Sequence, residues 1–250
     1  MLKLSLPYPA QLLICLAALF LIASPADAGQ RKFAFSYEST TSPQGAVELE
    51  NWVTWKHDGA DGNAFEFRHE LEFGVTDRLQ LGIYLADWSY SDAVGAVYEH
   101  SGVEAIYNLT NPTTDFLGSA VYLEVVGGND VAEVEGKLLL QKNVGPLVVA
   151  YNLVLEGKWE GENLDEREGE FAQTLGVSYE LNPHFSIGVE AFHEIPLPDW
   201  KSGEDSIVFA GPNASVRFGR FFVTAACLAQ LTDIEGEPDW ENRMIVGFDF

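Results

Sequence analysis

Glutamates recur on one parity of successive alternating segments of this 250-residue chain. Glu48 and Glu50 open the series. Glu66, Glu70 and Glu72 follow with Arg68 among them, and Glu104, Glu124, Glu133 and Glu135 come next with Lys137. Glu156, Glu190, Arg217 and Arg243 complete the set. Side chains two apart share one face of an extended strand, and neighbouring strands lie about 4.8 Å apart. A wall of carboxylates at that spacing has two states. Wet, it stays ionised and attracts cations; dry, its members must be paired with Arg and Lys or protonated. The acids in this set outnumber the bases, which leans the reading toward water, ions or protonated carboxyls.

Catalytic chemistry has little to stand on. Of the 5 histidines, the one candidate is His193, next to Glu194 near a strand top, together with Asp199 in the same loop. No serine-centred nucleophile motif and no metal-ligand cluster accompanies them, so no catalytic residue, metal or cofactor is predicted. A second acidic group, Glu160, Glu162, Asp165, Glu166, Glu168, Asp233, Glu235, Glu237 and Asp239, falls between the regular segments. It could hold divalent cations that bridge lipopolysaccharide phosphates. Its spacing matches no calcium-loop pattern, so solvated loops are the favoured reading. The net charge of −24 argues against nucleic acid as a partner.

The elements that must position the glutamates are strands. From Ala46 onward apolar and polar residues alternate, with no segment of helical period. Val47, Leu49, Val53 and Trp55 share one face, opposite Glu48, Glu50, Trp52 and Thr54; Leu79, Leu81, Ile83 and Leu85 continue the pattern opposite Gln80, Gly82 and Tyr84. About twelve such segments of mostly 9–13 residues succeed one another, the length of a tilted transmembrane strand. Turns at Thr76, Asn111, Gly145, Asn182 and Gly219 are short, whereas most intervening loops, such as Gly157 to Gly169, are longer and acidic. The expected fold is all-β: a single closed antiparallel transmembrane β-barrel with short periplasmic turns and longer external loops. A charge turned to lipid costs a few kcal/mol near the midplane, which sends the glutamates to the lumen.

The two ends give the address. Residues 1–28 read as a cleaved signal peptide: Lys3, the apolar run from Leu12 to Ser24, then Ala26-Asp27-Ala28 as the cleavage site. The mature chain keeps one cysteine, Cys227, and so no intramolecular disulfide. Residues 29–45, with alternating Phe33, Phe35 and Tyr37, are expected as a periplasmic arm or the start of the first strand. The barrel is assigned to 46–250. The terminal Phe250, with Phe248 two before it, looks like the signal read by the outer-membrane barrel assembly machinery.

Val47-Glu48-Leu49-Glu50, the run from Glu72 to Gly82 and Val208-Phe209-Ala210-Gly211-Pro212 resemble segments of small Gram-negative outer-membrane barrels. These are similar to the transporter-like barrels grouped with the MetA-pathway of phenol degradation. The resemblance implies a barrel and a transport class, and no site residues. The expected function is thus a small-solute channel or transporter with an acidic, cation-preferring lumen. It would sit among outer-membrane lipid and lipopolysaccharide and pass small cationic or neutral solutes. The alternatives are a structural or adhesive scaffold with a plugged lumen and, less favoured, an outer-membrane hydrolase.

Overall fold

The computed structural model describes residues 31–59, 62–201 and 205–250. The signal-peptide reading of residues 1–28 lies outside them. Twelve strands succeed one another in chain order: β1 (Val47–Asp58), β2 (Gly62–Thr76), β3 (Leu79–Ser91), β4 (Gly95–Thr110), β5 (Gly118–Gly128) and β6 (Val131–Val144) form the first half. The second half is β7 (Leu147–Glu160), β8 (Glu166–Asn182), β9 (Phe185–Pro198), β10 (Ile207–Phe218), β11 (Phe221–Gln230) and β12 (Trp240–Asp249). Each pairs antiparallel with its sequence neighbour, and β1 pairs with β12 to close the barrel. Closure removes the two free edges that an open sheet would leave in lipid. Phe250 adds one more rung, its N–H donating to the Val47 carbonyl at 3.0 Å.

The two-residue repeat sorts the side chains as the alternation requires. Ile83, Val103, Leu123, Val125, Leu155, Leu175 and Val189 face outward and are exposed, a lipid-facing band. Glu48, Glu50, Glu70, Glu72, Glu104, Glu124 and Glu190 face inward and are buried. The two strand ends differ. Two-residue turns join β2–β3, β6–β7, β8–β9 and β10–β11 at the end where β1 begins and β12 finishes, the periplasmic end of an outer-membrane barrel. The β4–β5 connection there, expected as a short turn at Asn111, instead spans residues 111–117.

Two local departures matter. The acidic segment Gly157 to Gly169, expected as one long loop, is mostly strand: β7 runs to Glu160 and β8 begins at Glu166. Gly157 pairs with Gly169, Lys158 with Glu168 and Trp159 with Arg167, so the strands continue past the apolar band where charges meet water. The second departure is a bulge in β3. Glu70 pairs with Tyr84 and His69 with Ala86, leaving Leu85 unmatched. An extra residue inverts the facing of every later side chain in the strand. Asp87, which a strict alternation from Tyr84 would place outward, therefore points inward and is buried.

The band sets one prediction. Val189 is 56% exposed on the outer face of β9, so Val189→Arg should destabilise the barrel by about 2–4 kcal/mol if the site lies near the bilayer midplane. Val189→Thr should cost much less. Urea unfolding in lipid vesicles measures both, and equal stabilities would invert the assigned face of β9.

Candidate functional site: a lumen divided by the N-terminal arm

Residues 31–39 run inside the barrel and 40–45 emerge at the end where β1 begins, neither part as strand or helix. Irregular backbone at membrane depth is tolerated only where other protein groups satisfy its polar atoms, and here side chains of the wall do so. The Glu190 carboxylate, 1% exposed, accepts the N–H groups of Ala34, Phe35 and Ser36, each at 2.8 Å. Asn152 takes the Tyr37 N–H at 2.6 Å and returns its own amide to the Tyr37 carbonyl at 2.9 Å. Gln141 accepts from Ser39 N–H and Gln80 from Ser42 N–H, at 2.7 and 2.8 Å. Asn213 donates to the Lys32 carbonyl and Asn108 to that of Ser39.

The aromatic alternation at 33, 35 and 37 gives the arm its apolar anchors. Phe33 packs with Val148 and Ala150. Phe35 packs with Ile207, Phe209 and Leu228, and Tyr37 with Trp52, Ile106 and Tyr122. Gly176 leaves room for the Phe33 ring: a Cβ there would lie 2.5 Å from its Cδ1. Cations stack on the same rings. Arg31 lies 4.3 Å from the Tyr37 centroid and 4.5 Å from that of Trp52, Arg243 4.2 Å from Phe35, and the Lys137 ammonium 4.2 Å from Tyr37.

The arm separates two cavities. The larger, about 960 Å³, opens toward the loop end and takes Glu66, Arg68, Glu124, Glu133, Glu135, Lys137, Glu156 and Arg243 from the predicted set. The smaller, about 460 Å³, lies toward the terminal end and takes Glu48, Glu50 and Glu72. Tyr37 lines both. Glu70, Glu104 and Glu190 are buried in the interior and line neither cavity, while Arg217 sits low in the barrel, bonded to Asp249. Several predicted charges meet directly: Lys137 with Glu135 at 2.7 Å, Lys56 with Glu66 at 2.7 Å, and Arg68 with Asp87 at 2.8 Å and Glu124 at 3.5 Å.

Strand register joins the two chambers by a row of acids interrupted at Gly82. Asp249 stands opposite Glu48, and Glu48 opposite Glu72. Glu72 faces Gly82, and Gly82 faces Glu104. Glu104 then faces Glu124, Glu124 faces Glu135, Glu135 faces Glu156, and Glu156 faces Glu170. Because barrel strands tilt by about 35–45°, a row running directly across them climbs the wall. This one starts at the inner cavity with Glu48 and ends at the outer cavity with Glu170. Like charges directly opposite one another repel, so the row requires counter-charge or protons.

Some of this was visible in the alternation and some was not. Asp87 escaped because the bulge hides its facing. Arg31, Gln80, Gln141 and Asn152 carried no signal alone; the aromatic alternation at 33–37 beside a polar inward face was the available clue. His193 and Glu194 are not brought together as a catalytic pair. Glu194 lines the outer cavity, whereas His193 Nδ1 meets Gln173, which is bonded to Tyr151.

Solved outer-membrane barrels share this fold. The NanC porin matches with a TM-score of 0.55 at 12% identity, over 82% of this chain and 99% of its own. An outer membrane channel from Pseudomonas putida F1 gives 0.56 at 17% identity, over 85% and 98%. The KdgM porin, in complex with disordered oligogalacturonate, gives 0.51 at 12% identity, over 82% and 98%. At such identities the likeness is one of fold. The model of a family of unknown function (DUF6662) matches residues 25–244. No curated protein matches the sequence.

The Glu190 nest sets a second prediction. A buried N–H left without an acceptor costs about 1–3 kcal/mol, so Glu190→Ala should loosen the arm and leave the barrel closed. Amide hydrogen exchange at residues 34–36 should accelerate at least tenfold while the strands keep their protection. Unchanged protection at those amides would mean that the aromatic anchors alone hold the arm.

Proposed function

The chain belongs to the family of unknown function (DUF6662), and on that premise we propose that it is an outer-membrane channel for small solutes, cation-preferring and gated by its own N-terminal arm. The observation that carries this reading is the pair of acidic chambers joined by the carboxylate row and parted by residues 31–39. The arm is held by noncovalent contacts, chiefly side chain to backbone, and such contacts can be exchanged for water. An acidic wall concentrates cations and repels anions. A polyanion such as the oligogalacturonate held by KdgM is thus a poor match for this lumen, and a small cation or neutral solute a better one.

Export and assembly belong to the same reading. The signal peptide over residues 1–28 would deliver the chain to the periplasm, and Phe248 and Phe250 would present the terminal strand to the assembly machinery. Phe250 stacks edge-on against Phe248, with centroids 4.9 Å apart, so the two would be read together. In the membrane the loop acids would face lipopolysaccharide. One observation favours the rival reading of a sealed scaffold: the arm engages polar groups on many strands, so opening must break several hydrogen bonds together.

Conductance in planar bilayers decides between them. Wild type should show small or infrequent openings, and a variant lacking residues 33–42 should conduct several-fold more. A salt gradient should give a reversal potential of cation-selective sign, diminished in Glu66→Gln/Glu133→Gln/Glu156→Gln. An arm-deleted barrel that folds and conducts nothing would establish the scaffold instead.

A further inference from the structure

The carboxylate row has a gap at Gly82, and around that gap we infer a binding site for a hard divalent cation, Ca²⁺ the best match, held by Glu70, Glu72 and Glu104. Glu70 and Glu72 lie two apart on β2, and Glu104 faces Gly82 from β4. One oxygen from each of the three falls within 4.8 Å of the others. A Cβ at position 82 would come within 2.2 Å of Glu70 Oε1 and 2.4 Å of Glu104 Cγ, so the missing side chain makes the room.

Burial and unmet bonding point to a ligand. Glu70 is 1% exposed, and neither of its carboxylate oxygens has a hydrogen-bond partner among the described residues. Glu104 Oε1 is likewise unpartnered, while Oε2 accepts from the Tyr84 hydroxyl at 2.6 Å. The nearby cations leave two of the three unanswered: Arg31 pairs with Glu50 at 3.2 Å and reaches Glu72 at 3.9 Å, Arg68 pairs with Asp87 and Glu124, and among the described residues neither Glu70 nor Glu104 has an ion pair. Buried carboxylates in this arrangement must be neutralised. Three of them offer up to six oxygens without nitrogen or sulfur, a donor set that suits Ca²⁺, which tolerates bidentate carboxylates and irregular geometry. The site stands apart from the channel reading, since a sealed barrel would hold the ion equally well.

The test is Ca²⁺ titration of the full barrel, reconstituted in lipid and stripped with chelator, by isothermal calorimetry in constant NaCl. One saturable site per barrel is expected, with affinity at least tenfold weaker in Glu70→Gln/Glu104→Gln and unchanged in the loop control Glu162→Gln/Glu235→Gln. Should the double variant fail to insert, wild type alone still decides. Bound Tb³⁺ should luminesce when Tyr84 or Trp52 is excited, and Ca²⁺ should displace it. No saturable Ca²⁺ binding, equal binding in the double variant, or Tb³⁺ emission that Ca²⁺ leaves unchanged would mean that protons neutralise these carboxylates.

Discussion

A carboxylate cannot face hydrocarbon at tolerable cost, and in a closed sheet with a two-residue repeat it has one other direction to point. That constraint organises this molecule. Val47, Leu49 and Leu71 turn toward lipid, so Glu48, Glu50, Glu70 and Glu72 must turn inward. Antiparallel register then sets several of them directly opposite one another. The interior is consequently a place where negative charge is gathered by geometry and must be answered by something else. Arg31, Arg68, Lys137 and Arg217 answer part of it through ion pairs.

The arm is shaped by the same constraint. A wall of acids and amides is a poor surface for apolar packing but a good acceptor for backbone N–H groups. Residues 31–45 therefore need no ladder of their own. Glu190 commits its charge to three amides, where charge-assisted bonds are stronger than neutral ones. The aromatics at 33, 35 and 37 bring the apolar area that the wall lacks, and three separate interior clusters form around them. Arg31 and Arg243 then stack on those rings while balancing acids of the wall or donating to the arm.

The sequence disclosed the barrel because period-2 alternation persists over nearly the whole chain and lipid punishes every departure from it. The inward facing of Glu48 or Glu104 was legible for the same reason. What alternation cannot convey is a shift in its own phase. Asp87 was invisible because unmatched Leu85 inverts the facing after it, and a bulge of one residue leaves no compositional mark. The Gly157–Gly169 segment misled in the opposite way: its charges resembled a loop, yet strands extend into water once past the apolar band. The arm's place in the lumen depends on long-range partners such as Asn152 and Gln141, and a local pattern does not name them.

The lumen is not filled, and that too has a physical cause. Small barrels commonly fill their interior with side chains, whereas larger ones leave a water channel. Here cavities of about 960 and 460 Å³ remain on either side of a segment thin enough for Tyr37 to line both. A chain selected only for a solid core would have placed larger apolar residues at positions 82, 152 and 190, where glycine, asparagine and glutamate stand. Each of those residues instead leaves space or offers an acceptor: Gly82 between facing carboxylates, Asn152 and Glu190 beneath the arm. Polar groups at such positions weaken packing, and the arm that Asn152 and Glu190 hold lies between the two chambers. In the proposed reading, the place where the barrel gives up core packing is the place where it opens.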